Sequence, residues 1–351
     1  MLSPSQFREL VSGQRRGVIA SALRFGLRLA EIPYTLGVRW RNWRYDSGRR
    51  AIHRMPVPVV SVGNLTLGGT GKTPMVEWLA RWFRLRGVRI AVVSRGYGAE
   101  AGALNDEAAE LEQLLPDVPQ VQNPDRVAGA AMAVEELGCQ LVLLDDAFQH
   151  RRIARDLDIV LLDALEPFGF GHVVPRGTLR EPAAGLGRAQ VVVLSRCDLV
   201  SPERREEIRS RAARYAPAAV WAETAHAPQG LGNHSGQQAP LDCLVDLPVA
   251  AFCGVGNPAA FRRTLELCGY RVIGFREFAD HYRYARADIE SLTAWAKELD
   301  AAAVLCTRKD LVKLGVDRLG RQPLWALRIA TEFRRGQPEV EPLLGQWLPR
   351  R

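Results

Sequence analysis

The stretch Val57-Pro58-Val59-Val60-Ser61-Val62-Gly63-Asn64-Leu65-Thr66-Leu67-Gly68-Gly69-Thr70-Gly71-Lys72-Thr73 decides how this chain is read. Its β-branched run reads as a buried strand. A glycine-rich turn follows, and Lys-Thr opens residues 74–83, which read as an amphipathic helix. Strand, glycine loop, Gly-Lys-Thr and helix together mark a phosphate-binding loop. Glycines let backbone N–H groups converge on phosphate oxygens with no Cβ in the way. The helix N-terminus adds partial positive charge. Lys72 suits the β- and γ-phosphates, and the Thr73 hydroxyl suits Mg²⁺. The nucleotide-binding set is therefore Thr66, Leu67, Gly68, Gly69, Thr70, Gly71, Lys72 and Thr73. The strict motif has glycine where this chain has Thr66. Lysine is otherwise confined to Lys297, Lys309 and Lys313, so arginine does the ordinary surface work.

Downstream, apolar runs alternate with helical patterns. The runs at 140–144, 157–163 and 190–194 are continuous, as expected of parallel strands covered on both faces. Gly87 reads as a helix C-cap, Asn123-Pro124 as the start of another helix, and Ser201-Pro202 as a third helix start. The expected fold is α/β: a P-loop NTPase-like doubly wound parallel sheet, a second, smaller α/β domain, and an N-terminal amphipathic helix. The expected boundaries are a basic segment at 1–55, a phosphate-loop core at 56–226, a Gly/Pro/Gln/Asn/Ser-rich linker at 227–240 and the smaller domain at 241–351. Asp145 and Asp146 end an apolar strand, where carboxylates hold Mg²⁺ directly or through water opposite Thr73. The glycine- and proline-rich connection at 167–182 carries Arg176 and Arg180, which either clamp phosphate or brace the loop. His281, in a strand-to-helix connection, reads equally as catalytic or structural.

A length of 351 residues accommodates two domains. The net charge of +8 favours an anionic partner: nucleotide, nucleic acid or membrane surface. Six scattered cysteines without a C-x-x-C pair point to a reducing compartment and away from zinc or a disulfide framework. In residues 1–55, eleven arginines face only Glu9, Glu31 and Asp46. Between Gly17 and Glu31, Ile19, Leu23, Leu27 and Ala30 share one helical side, with Arg24, Arg28 and Glu31 opposite. No run reaches the ~18 apolar residues of a membrane span. This segment suits a helix in a membrane interface, with Tyr34, Trp40, Trp43 and Tyr45 nearby. Its alternatives are a helix on the chain's own core, a transit peptide, or a nucleic-acid contact.

Several segments, in order, resemble the tetraacyldisaccharide 4′-kinases of lipid A biosynthesis. They are Gly63-Asn64 through Pro74, Ser94-Arg95-Gly96-Tyr97-Gly98, Asp145-Asp146-Ala147-Phe148-Gln149-His150, Pro175-Arg176-Gly177 with Leu179-Arg180-Glu181-Pro182, Phe278-Ala279-Asp280-His281, and Thr307-Arg308-Lys309-Asp310. The resemblance implies transfer of the ATP γ-phosphate, with Mg²⁺, to the 4′-hydroxyl of a membrane-held acylated glucosamine disaccharide 1-phosphate, giving lipid IVA. It implies peripheral attachment to the cytoplasmic face of the bacterial inner membrane, with an anionic lipid surface and no nucleic acid as partner. It implies Asp106 and His281 as a catalytic pair beside Lys72, Asn64, Arg95, Arg176 and Arg180 toward substrate, and Thr73, Asp145 and Asp146 toward the metal. Asn105 and Ala147 stand where the family pattern has glycine. Two rivals remain open. One is a soluble P-loop small-molecule kinase or GTPase, for which Ser195-Arg196-Cys197-Asp198 faintly echoes a guanine-reading motif. The other is a non-catalytic adaptor on the same fold.

Overall fold

Strand β1 (Val59–Asn64) is buried at every residue. It is the middle of a parallel sheet because its neighbours on both edges are apolar strands of matching length. In the computed structural model, which describes residues 4–96, 106–280 and 282–348, helices α1 (Pro4–Ser12) and α2 (Val18–Asp46) precede β1. After it come α3 (Lys72–Arg84), β2 (Ile90–Ser94), α4 (Asp106–Leu114), β3 (Gln120–Gln122), α5 (Arg126–Glu135), β4 (Leu141–Asp145), β5 (Leu157–Asp163), β6 (Val191–Ser195), α6 (Pro202–Ala213) and β7 (Val220–Gly232). The chain forms two compact units, one of residues 1–96, 117–225 and 333–351, the other of 97–116 and 226–332.

In the first unit the strand order is β7-β6-β5-β1-β4-β2-β3. β1 pairs in parallel with β4 on one edge and β5 on the other. The chain therefore winds outward through β2 and β3, returns at β4, and crosses β1 to build β5 and β6. Such a reversal opens a crevice outside the carboxyl ends of the strands, and the turn at 65–71 lies there. α3 covers β1, and α5 covers β2 and β4. Its N-cap is Asp125, whose side chain accepts from Val127 N at 3.0 Å, rather than the expected Asn123. Asn123 instead accepts from Asp125 N at 2.9 Å, a local turn that delays the helix by two residues.

The second unit is built on β8 (Gln238–Ala239), β9 (Pro248–Cys253), α7 (Pro258–Leu267), β10 (Arg271–Glu277), α8 (Arg286–Glu298), β11 (Ala303–Thr307), α9 (Arg308–Leu314), β12 (Arg318–Leu319) and β13 (Gln322–Arg335). β9 lies between β10 and β11, and β11 pairs with β13, all parallel. Residues 227–240, expected as a linker, are instead the end of β7 and a short antiparallel pairing of Leu231–Gly232 with Gln238–Ala239. Residues 333–351, with α10 (Gln337–Gly345), belong to the first unit rather than the second. Phe333 meets Trp78 at 4.7 Å between ring centroids, and Glu341 meets Arg86 at 3.7 Å. Contacts of such sequence separation leave no local signal.

Gly63 marks a close approach of β1 to the segment after β4. A Cβ there would lie 2.6 Å from Phe148 Cβ and 2.9 Å from Phe148 N. Gly63→Ala should therefore cost about 1–3 kcal/mol, as other overpacked positions do, read as a lower denaturant midpoint at unchanged slope. An unchanged midpoint would contradict this close approach.

Candidate phosphate-binding site and the helix beside it

The turn after β1 is held from three sides. Gly71, the N-cap of α3, sits at φ 82°, and no side chain caps the first turn of that helix. Its leading N–H groups therefore suit an anion. Gly68 lies at φ 104°, a conformation costly for any residue with a Cβ. The strand end and the 173–181 connection zip together: Leu67 N donates to Thr178 O and Arg180 N to Leu65 O, each at 2.7 Å. From β6, Ser195 Oγ donates to Thr70 O at 2.7 Å and Arg196 Nη2 to Gly69 O at 2.9 Å. Arg196 is itself fixed by Asp163 at 2.5 Å. The Ser-Arg-Cys-Asp stretch thus ties down the loop backbone.

Two carboxylates stand at the end of β4, the strand paired with β1. Asp145 is 3% exposed. Asp146 sits at φ 49°, in the left-handed region that Asp tolerates better than most residues. Both its oxygens accept from Arg180 Nη1, at 2.8 and 2.9 Å, and it lies 3.6 Å from Lys72 Nζ. Burial alone would raise the Asp146 carboxyl, but Lys72, Arg180 and Arg126 outweigh it and hold it below the ordinary value. Thr73 lies in the first turn of α3, beside Lys72. A hydroxyl and two carboxylates are an oxygen donor set. Among the described residues no cluster of three or more His, Cys, Asp or Glu could hold a metal. This combination fits Mg²⁺, which is typically held by one or two carboxylates together with phosphate oxygens.

The other expected residues fall differently. Asn64 is fully buried, and its amide donates to Thr66 O at 2.7 Å. Arg176 Nη1 donates to Val11 O at 2.9 Å. Arg95 is exposed after β2, and its charge reaches Arg126. Asp106 is the first residue of α4 in the second unit, but its side chain, like His281 and residues 97–105, lies outside the described residues.

Three groups were given no role by the sequence reading. Arg126, 5% exposed at the start of α5, brings its charge to Asp145 and Asp146. An arginine opening an otherwise apolar helix was the available signal. Glu181 is fully buried, accepting from Gln149 Nε2 at 3.1 Å, Arg188 Nη2 at 2.8 Å and Asn42 Nδ2 at 3.1 Å. Gln149 also donates to Asn64 O at 2.9 Å, so one buried carboxylate links α2 to the end of β1. In the second unit Asp310 is fully buried and accepts from Gly254 N, from Tyr284 Oη at 2.9 Å and from Thr307 Oγ1 at 2.6 Å. With Lys309 on Asp280 and Lys313 on Tyr282 O, it fixes the segment on either side of residue 281.

Helix α2 is longer than the expected 17–31 and continues through Pro33 to Asp46. The side bearing Arg24, Arg28 and Glu31 docks on the protein, together with the buried Ala20, Val38 and Tyr45. Glu31 accepts from Val173 N at 2.9 Å and meets His172 Nδ1 at 3.2 Å, Arg24 donates to Arg15 O at 2.7 Å, and Tyr34 Oη donates to Arg180 O at 3.1 Å. Ile19, Phe25, Leu36 and Trp40 are left outside, with 58–76% of their surface exposed. No described helix is long and apolar enough to cross a membrane.

A family model described as tetraacyldisaccharide-1-P 4′-kinase matches residues 23–348. A protein named tetraacyldisaccharide 4′-kinase from Anaeromyxobacter sp. (strain K) is 40% identical over 350 residues, covering 94% of this chain and 92% of its own. One of the same name from Geobacter metallireducens is 37% identical over 317 residues, covering 84% of this chain and 90% of its own. The solved "apo" form of LpxK from Aquifex aeolicus, in complex with ATP, superposes with a TM-score of 0.73 at 29% identity, over 93% of this chain and 100% of that one.

His150, beside this site, carries a pH dependence. Burial and then the Arg126 guanidinium, with Arg152 and Arg155 adding and Asp125 opposing, push it from 6.5 down to about 4. The unfolded chain therefore takes up a proton here before the folded one does. Stability should fall as pH drops from 6.5 toward 4, with no further loss from this group below. His150→Asn should flatten the fall in melting temperature over that window, relative to its own value at pH 7. An equal slope in both proteins would refute this.

Proposed function

Because the chain belongs to the tetraacyldisaccharide-1-P 4′-kinase family, we propose that it transfers the γ-phosphate of ATP to the 4′-hydroxyl of an acylated glucosamine disaccharide 1-phosphate, a step of lipid A biosynthesis. The observation that carries this reading is the family match over residues 23–348, on a fold whose switch point holds Lys72 and Arg180 around Asp146. Phosphoryl transfer asks mainly for positioning and charge neutralisation. The N–H groups at 68–73 would cradle the phosphates, and Lys72 and Arg180 would offset their charge. Thr73, Asp145 and Asp146 would hold Mg²⁺, which supplies charge neutralisation across the outer phosphates. Asp106, aided by His281, is our choice of base for the sugar hydroxyl. Arg95 is the exposed cation left to meet the substrate. Asn64 and Arg176 serve the loop and α1 through the bonds described above.

We place the protein peripherally on the cytoplasmic face of the inner membrane. The support is the outward apolar strip of α2 with Arg15, Arg16 and Arg39 near it, a pattern suited to an anionic lipid interface. An acylated substrate would keep its chains in that layer while presenting its sugar.

Incubation with radiolabelled ATP and the tetraacyldisaccharide 1-phosphate should yield a labelled lipid on chromatography; labelling by GTP alone, or of no lipid, would reject the reading. Lys72→Ala should lower kcat about 10²–10³-fold, and Asp106→Asn about 10²–10⁴-fold. A near wild-type rate in either would remove that residue from its place. Phe25→Glu with Trp40→Glu should reduce co-sedimentation with anionic vesicles and leave ATP affinity unchanged. Undiminished vesicle binding would remove α2 as the membrane contact.

A further inference from the structure

Helix α1 lies outside the residues matched by the family model, yet it is docked at the phosphate loop. Leu10 and Val11 are 1% and 2% exposed, so its C-terminal turn is packed rather than trailing. Two arginines hold its carbonyls: Arg176 Nη1 bonds Val11 O at 2.9 Å, and Arg24 Nη1 reaches Leu10 O at 3.5 Å. One turn back, Arg8 is exposed, and its Nη2 lies 3.6 Å from where a Cβ on Gly68 would stand. Among the described residues no other group beyond the chain neighbours comes within 4 Å of that point, while Arg196, held by Asp163, takes the Gly69 carbonyl rather than the open side of the loop. The guanidinium therefore overhangs the strand-side crest of the loop.

That crest has a definite chemical meaning. The helix-side residues Gly71, Lys72 and Thr73 surround the inner phosphates, and the lysine side chain reaches outward to the β and γ positions. The strand-side residues, Gly68 and Gly69, then border the outer end of the triphosphate. Lys72 and Arg180 both meet Asp146 and share its charge. A third cation on the far side of the loop would act on the group being transferred, the place of an arginine finger supplied by the same chain.

We propose that Arg8, carried by α1, contributes its guanidinium to the terminal phosphate of the bound nucleoside triphosphate. The inference rests on the kinase reading but concerns an element beyond the family match. Glu166 is the acidic group on which the charge of Arg8 also acts. Its carboxylate accepts from Phe170 N at 2.7 Å. The rival account is therefore that Arg8 serves only Glu166.

The test compares a non-hydrolysable ATP analogue with ADP, by titration calorimetry on the full chain. Arg8→Ala should weaken the ATP analogue about 10- to 100-fold, the worth of one charged hydrogen bond, and leave ADP affinity and melting temperature unchanged. Arg8→Lys should fall between the two, since an ammonium keeps the charge but loses the planar fork. Turnover by Arg8→Ala should drop on the order of 10³-fold, with the KM for the lipid acceptor unaltered. Equal effects on ATP analogue and ADP, or none on either, would overturn the proposal. So would an ATP-selective loss in Glu166→Gln. Lys72→Ala should weaken both nucleotides. If the wild-type chain bound neither, the kinase reading itself would fail, an outcome distinct from a wild type that binds both and an Arg8→Ala variant that matches it.

Discussion

A carboxylate wedged between a lysine and an arginine organises the first unit. Asp146 directly follows β4, Lys72 opens α3 and Arg180 comes from the long connection before β6, so three remote segments converge on one charge. Each charge here is partly desolvated, and removing one partner would leave the others costly to keep. The same contact requires β4 to lie beside β1, which the parallel register delivers. The connection bearing Arg180 must also lie along the loop, and the two 2.7 Å backbone bonds at Leu65 and Leu67 ensure that.

Bracing around that charge is mostly indirect. Ser195, Arg196 and Asp163 act on carbonyls of the loop rather than on anything it would bind. Glu181 gathers Gln149, Arg188 and Asn42, so a fully buried acid is satisfied by three donors. The second unit repeats the device with Asp310, whose carboxyl is raised by burial despite the hydrogen bonds from Thr307, Gly254 and Tyr284. In both places one buried acid within a short polar string gathers donors from remote segments.

The chain read on its own revealed the strands well, because strands buried at every residue are mostly apolar, as β1, β4, β5 and β6 are. The phosphate loop was equally plain, since its glycines and Gly-Lys-Thr sit between such a strand and a helix. What stayed hidden depended on distance along the chain. Nothing near residue 333 announces a ring against Trp78, and nothing near residue 230 announces a strand in a stretch rich in Gly, Asn and Gln. Helix α2 was read too short, and which of its faces meets the protein was left open. Periodicity identifies two faces but not which one docks, and here Glu31, Arg24 and Tyr34 found partners on the protein. The burial of Arg126 and Glu181 was the hidden part, because a charged letter carries no sign of being buried.

The docking of α2 by the side bearing Arg24, Arg28 and Glu31 has a practical corollary for the molecule in water. Ile19, Phe25, Leu36 and Trp40 form an oily ridge that aqueous buffer solvates poorly. In dilute solution such a ridge gains by meeting surfactant micelles or the same ridge on another copy. Colloidal behaviour during purification is thus written into the direction in which one helix faces.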